Sequence, residues 1–492
     1  MLFNSGHFLL FFPLVTGLYF LIPHRLRWLL LLAASCYFYM VFRPIYILIL
    51  GFTITVDYFA GLLIEKSEGK TRKYWLIASI VANVGVLAIF KYYNFLNENL
   101  RVLMHTTNVP DPLPFLSILL PIGLSFHVFQ SLSYTIEVYR GNYPAEHHAG
   151  YFALYVMYYP QLVAGPIERP QNLLHQFKTP HPFDHDRVVQ GLQMMLWGFF
   201  KKVVVADHLA PIANKVFDNP HNYQGISLVI GTVAFAIQIY CDFSGYSDIA
   251  IGSSKVMGIE LMTNFNRPYF SKSIGEFWKR WHISLSTWFR DYFYFSLGGN
   301  RVPRWRWYFN LMLTFLVSGL WHGASWTYVV WGGLNGVYLV GESVIGGVFA
   351  DKNTPSKRWP AFMPVFRTVA VLRTFALTCI AWVFFRAHTF SDSWYILEHF
   401  FVGWGNALHN LHSAPFLKRY VMMEQDYTDL LIAFVAVLVL FLGDLWQRNH
   451  HLNSRLAAQP AWVRWSLYYA IAGAVLLFGA FNSAQQFIYF QF

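Results

Sequence analysis

Runs of about twenty apolar residues recur from one end of this 492-residue chain to the other. An α-helix adds about 1.5 Å per residue, so a run of that length is what a helix needs to cross the hydrocarbon of a bilayer. Candidate runs lie near 8–22, 28–42, 44–64, 75–91, 115–137, 150–164, 188–206, 225–241, 308–320, 326–348, 364–385, 428–446 and 466–484. Several are short, and short or broken segments are tolerated only where they line a cavity inside the protein. The pattern predicts an all-α, polytopic integral membrane helical bundle with roughly 11–13 membrane segments, some of them re-entrant or interfacial.

Charge supports this reading. Only 12% of residues are charged and 56% are hydrophobic, against about 25% charged in a soluble domain. The net charge of +11 is accounted for by basic residues gathering in cytoplasmic loops rather than by nucleic acid. The loop 65–73 (EKSEGKTRK) carries four basic residues and the link 23–27 carries two. Both are cytoplasmic if the first helix runs inward, which puts the N-terminus on the periplasmic side. Residues 92–114 then form an outer loop. No cleavable signal peptide is evident, so 8–22 is expected to be a retained span. The three cysteines, Cys36, Cys241 and Cys379, have neither metal-ligand spacing nor a disulfide pattern.

No second domain, repeat or low-complexity segment interrupts the pattern, so one membrane domain over 1–492 is expected. It divides into N-terminal spans (1–160), a central part (161–350) and C-terminal spans (351–492). The segment 164–187 is polar, with four prolines and three histidines. It is predicted to be a cytoplasmic stretch with a turn at Gly165-Pro166. The histidines, His175, His181 and His185, are interrupted by prolines and do not match a zinc site. The loop 388–427 holds His388, His399, His409 and His412 without a helical ligand pair, and is expected to be interfacial.

The chemistry concentrates between 242 and 326. The stretch opens DFSGYSDIAIG, continues FWKRWHISLSTWFRDYFYFSLGGNR and ends FLVSGLWHGASW. Its aromatic middle fits short amphipathic helices at the membrane surface or dipping into the bundle, with a turn at Gly298-Gly299-Asn300. His322 sits in apolar sequence, where an ionisable group is costly. Small neighbours, Gly323 and Ala324, leave room for a helix or a ligand beside the imidazole. Kept neutral by desolvation, it suits a general base for a hydroxyl or thiol; it equally suits a core histidine bonded to a neighbouring helix. His282 lies beside Lys279, Arg280 and Arg290, which could hold a phosphorylated ligand from the cytosol or anchor to lipid headgroups. Walker A, dinucleotide-glycine, HExxH and G-x-S-x-G motifs are all absent.

The segments VAGPIERP (163–170), DFSGYSDIAIG (242–252), 265–301, SGLWHGASWTYVVWGGLNG (318–336), WVFFRA (382–387) and the terminal FIYFQF together resemble the membrane-bound O-acyltransferases. The resemblance is closest to their bacterial alginate O-acetylation branch. It implies a central tunnel, a catalytic histidine at His322, and a second site position at His282, where many eukaryotic relatives carry Asn. It further implies acetyl-CoA as acyl donor and no metal, with Lys279, Arg280, Trp281 and Arg290 at the donor site and Trp321 and Asp291 as lining or positioning residues. In that picture His322 deprotonates the acceptor or helps move the acyl group, while His282 orients or polarises the donor carbonyl. The branch implies residence in the bacterial inner membrane, a periplasmic SGNH-type partner with a Ser-His-Asp site, and an exported polysaccharide as final acceptor. Peptidoglycan O-acetylation, D-alanyl transfer to teichoic acid, and a non-enzymatic transporter with a histidine proton relay stay open as alternatives.

Overall fold

A computed structural model describes residues 1–106, 114–116, 121–349, 363–410, 412–446, 459–481 and 487–488. The polar link at 351–359, part of the expected outer loop (107–113), parts of two expected spans (117–120 and 482–484) and the last four residues of FIYFQF lie outside them. Every described element is a helix. Among the described residues, six helices are long and apolar enough to cross a membrane: Pro44–Lys66, Gly69–Met104, Ile226–Val256, Pro364–Arg386, Tyr427–Trp446 and Ala461–Phe478. The chain is a multi-pass membrane protein. In their described residues the other expected runs are helical over most of their length, in helices that are shorter or more polar. The run 150–164, for example, breaks at Tyr158 into Ala149–Met157 and Tyr159–Leu162, with Pro160 in the first turn of the second piece, where its missing N–H costs nothing.

Two expected span boundaries are corrected. Residues 93–106 are not loop. The helix from Gly69 runs through a π-helical turn at Ala88–Tyr92 and continues as Tyr93–Thr106. Polarity ends the apolar window at 91, but no Gly or Pro stops the helix before Pro110. The run 225–241 is likewise too short, because its helix continues to Val256. Its polar second half stays helical because its side chains find buried partners.

The chain forms two compact units. One comprises Met1–Met195, Ile249–Thr263 and Gly323–Ser325. Its core is aromatic: Phe3, Phe8, Phe38, Tyr134, Phe152, Tyr155, Tyr158 and Tyr159 are fully buried. The Tyr134 ring lies over Gly61, where a Cβ would come within 2.6 Å of it. Asp57, buried between helices, accepts from Ser79 (2.6 Å) and Asn83 (2.9 Å), so its desolvation is offset by hydrogen bonds. The expected turn at Gly165 is present. After it, buried Glu168 accepts from the Met262 N–H and from Asn172, while its own N–H donates to Gln130. The residues 170–178, expected as polar loop, form a short helix, Pro170–Lys178.

The other unit comprises Leu196–Asp248, Asn264–His322 and Trp326–Phe492. Its core runs from Phe200–Phe217 through Phe235 and Ile239 to Trp281, Trp331, Trp382 and Phe385. The middle segment is built of short pieces as expected: Ile274–Trp278, Ile283–Trp288 and a π-turn at Phe289–Tyr294. Gly298 and Gly299, both at positive φ (99° and 58°), make the expected turn into the helix Arg304–His322.

Candidate active site

His322 is the last residue of the helix Arg304–His322, which packs against Trp326–Phe349. Glycines bring these helices together. A Cβ on Gly319 would collide with the Tyr328 carbonyl and lie 3.2 Å from the Gly332 Cα; one on Gly332 would collide with the Phe315 carbonyl. Close contact of backbones at small residues is how helices associate where lipid removes the usual hydrophobic drive. This crossing is one turn before His322. It sets the half-buried imidazole edge-on to Trp331 (5.1 Å between ring centres) and to Phe385 (5.5 Å).

His282 is buried, and its backbone is left-handed (φ 43°, ψ 55°). A non-glycine residue there costs about 1–3 kcal/mol and is held only when its surroundings over-determine it. The surroundings are two backbone hydrogen bonds that tie this segment to 264–266: the Ile283 N–H donates to Asn264 O (2.9 Å) and the Asn266 N–H to Arg280 O (2.9 Å). The left-handed residue lets the chain turn from this pairing into the helix Ile283–Trp288, whose Ser286 N–H donates to His282 O. The imidazole lies edge-on to Phe243 (4.6 Å). Its Nδ1 is 3.1 Å from Asn264 Oδ1, which also accepts from the Ser284 N–H (3.2 Å) and hydroxyl (2.9 Å). Asn264 Nδ2 donates to Ser247 Oγ (3.2 Å). Burial pushes the His282 imidazole well below its ordinary range, and the neighbouring His322 pushes it further. The ring is therefore neutral at physiological pH.

An aromatic wall joins the two histidines. Phe265 stacks on His282 and meets Trp281 edge-on (5.1 Å); Trp281 packs on Trp382 (5.0 Å), and Trp382 stacks on Trp331 (6.0 Å), which touches His322. Trp281, expected at the donor site, is a fully buried member of this wall. The expected basic residues are nearer solvent. Lys279 is exposed, Arg280 is paired with Glu276 (2.6 Å), and exposed Arg290 is paired with its neighbour Asp291 (2.7 Å).

Two groups of residues escaped the sequence reading. Asn264 holds His282 together with Ser284, and nothing in the sequence marks Asn264. The other group is a buried charge network. Lys201 and Lys202, in a π-helical stretch (Phe200–Ala206), reach the polar half of Ile226–Val256. Lys201 meets Asp248 (2.6 Å) and Ser244 (3.0 Å); Lys202 meets Asp242 (2.6 Å) and Asp207 (2.8 Å). The Ile488 N–H also donates to Asp242 (2.7 Å). The π turn aims successive lysines at one neighbouring helix, and such turns recur at functional sites. The pairing clamps residues 242 and 244 on either side of Phe243, the ring against His282.

Residues 137–385 match the family model described as MBOAT, membrane-bound O-acyltransferase family. A protein named "Probable alginate O-acetylase AlgI" in Azotobacter vinelandii is 41% identical over 89% of this chain and 84% of its own length. Its namesake in Pseudomonas putida is 37% identical over the full length of both chains. The "Peptidoglycan O-acetyltransferase" of Helicobacter pylori is 31% identical over 94% of this chain and 91% of its own. A match over half the chain, relatives aligned along nearly all of it, and a histidine pair set in a multi-pass helical bundle agree: the chain belongs to the membrane-bound O-acyltransferase family.

Proposed function

We propose that this acyltransferase passes an acetyl group from cytosolic acetyl-CoA across the bacterial inner membrane for O-acetylation of an exported polysaccharide such as alginate. The observation that carries the chemistry is the pairing of His282 and His322, forty residues apart in sequence, at the two ends of one aromatic wall and within electrostatic reach of each other. The names of the full-length relatives supply the polymer.

His322 acts as general base. It takes the proton of the acceptor hydroxyl as the oxygen attacks the thioester carbonyl, and returns it to the departing thiolate. A positioned base supplies about 10²–10⁴ in rate. Holding donor and acceptor together in a tunnel through one membrane domain supplies much of the rest. Lys279, Arg280 and Arg290 meet the donor's phosphates at the cytosolic mouth, and Trp281 lines the path. The N-terminus is periplasmic. A periplasmic SGNH-type acyltransferase, with its own Ser-His-Asp site, receives the acyl group and completes transfer to the polymer. The similarity to the Helicobacter pylori protein supports peptidoglycan as a second acceptor class for the same chemistry.

The test uses purified protein in nanodiscs, radiolabelled acetyl-CoA, and the variants His322→Ala and His282→Ala. Label passing to water, protein or an added periplasmic partner in wild type, and lost in His322→Ala of normal fold, is the expected result. Full transfer by His322→Ala would remove that residue from the chemistry. Proton-coupled flux in vesicles without any transfer would replace the enzyme reading with a transporter.

A further inference from the structure

A hydrogen-bond network can fix which nitrogen of an imidazole carries its proton, and here the fixing is unusually well determined. The amide of Asn264 cannot be turned round: its Oδ1 faces the Ser284 backbone N–H (3.2 Å), a group that only donates. The same oxygen faces the Ser284 hydroxyl and His282 Nδ1, while its Nδ2 donates to Ser247. An amide oxygen only accepts, so His282 Nδ1 must carry the hydrogen. In a neutral ring Nε2 then carries the lone pair.

We propose that Asn264 is a positioning residue which locks His282 as the Nδ1–H tautomer, so that His282 enters the reaction through Nε2 as a hydrogen-bond acceptor. This rests on the acyl-transfer reading above and alters one part of it. A ring with a bare Nε2 cannot polarise the thioester carbonyl, which needs a donor. Any group that meets Nε2 during the reaction must instead donate to it. Four features hold the arrangement from different directions: the 264–283 backbone pairing, the Ser284 hydroxyl, the Ser247 hydroxyl one turn beyond Phe243, and Phe243 itself, edge-on to the ring. The titratable group beside His282 is His322; the carboxylates on the helix that carries Phe243, Asp242 and Asp248, are tied to Lys202 and Lys201.

The test is ¹⁵N NMR of histidine-labelled full-length protein in nanodiscs, with His282 assigned by its loss in His282→Gln, beside acetyl-transfer kinetics. Wild type should show His282 with a protonated Nδ1 and a bare Nε2. Asn264→Leu should lose that tautomer bias and cut kcat about 10²-fold, the cost of a misplacement of about 1 Å in a reacting group, with KM for acetyl-CoA little changed. Asn264→Asp keeps an acceptor at the same place. It should restore the tautomer and most of the rate, and move the acidic limb of the pH profile up by about one unit or more, since a carboxylate favours the charged ring. A protonated Nε2 in the wild-type spectrum overturns the proposal without any variant having to fold. So does Asn264→Leu with unchanged rate and tautomer. Full activity in His282→Gln would instead strike the acyl-transfer role of His282, and the spectrum would still report on Asn264.

Discussion

Gly319→Ala is the most demanding test of how His322 is placed. The substitution adds a single methyl, yet that methyl would collide with the Tyr328 carbonyl and stand 3.2 Å from the Gly332 Cα. The obstacles are backbone atoms of the facing helix, so no rotamer change relieves them, and the two helices must separate. Overpacking of this kind costs about 1–3 kcal/mol. Separation also carries Trp331 away from His322, which is one turn from the collision. A misplacement of about 1 Å can cost roughly 10²-fold in rate. Gly333 provides the control on the facing helix: a Cβ there meets only Leu316 Cδ2, at 3.6 Å, and one at Gly341 meets nothing. In a helix interior Ala is favoured over Gly by about 0.5–1 kcal/mol, so Gly333→Ala and Gly341→Ala should be neutral or stabilising. The assay is reversible unfolding in mixed micelles beside acetyl-transfer rates for all three variants. Gly319→Ala as stable and as active as Gly333→Ala would refute the close crossing as the element that positions His322.

Lys202→Met should destabilise by about 3–5 kcal/mol, because it leaves Asp207 and Asp242 buried without their cation; the yield of monodisperse protein should fall, and recover in part when Asp242→Asn is added. Trp382→Ala removes a fully buried side chain between Trp281 and Trp331, which should cost about 3–5 kcal/mol and lower transfer in the folded fraction. Glu168 makes a pH prediction. Burial raises its carboxyl to about 7, so the folded state binds more protons than the unfolded state between the ordinary glutamate range and about 7. Stability therefore falls as pH rises through that window, by up to roughly 3 kcal/mol, and the loss is complete above it. Unfolding midpoints at pH 5 and pH 8 should differ less in Glu168→Gln than in wild type; equal differences would refute the assignment.

The membrane helices were legible because hydrocarbon thickness dictates their length, and His322 because a histidine among apolar neighbours demands a reason. The turn at Gly298-Gly299 was equally legible, since few other residues accept positive φ. Asn264 was not. It owes its role to a backbone pairing with residues eighteen to twenty positions away, which leaves no periodic trace. Lys201 and Lys202 fall inside the run 188–206 without a visible partner, and each finds a carboxylate about forty residues downstream. Those same contacts let 242–256 stay helical where polarity alone argued for an exit. The basic residues around His282 were easy to see but hard to interpret, because sequence proximity does not say that Arg280 and Arg290 are already engaged with Glu276 and Asp291.

The helix Gly69–Met104 has 36 residues, which makes it about 54 Å long. Hydrocarbon about 30 Å thick would contain it only at a tilt near 55°, beyond the range of about 0–40° that spanning helices adopt. At an ordinary tilt of about 20° it overshoots the hydrocarbon by roughly 20 Å. Its first turns, with Lys70, Arg72 and Lys73, take up part of the excess, and its polar second half, where Asn94 donates to the Leu116 carbonyl and Tyr93 to the Pro114 carbonyl, takes up the rest. The helix is therefore continuous beyond the hydrocarbon at both ends, and past the π-helical turn its second half is tied by side chains to residues 114–116.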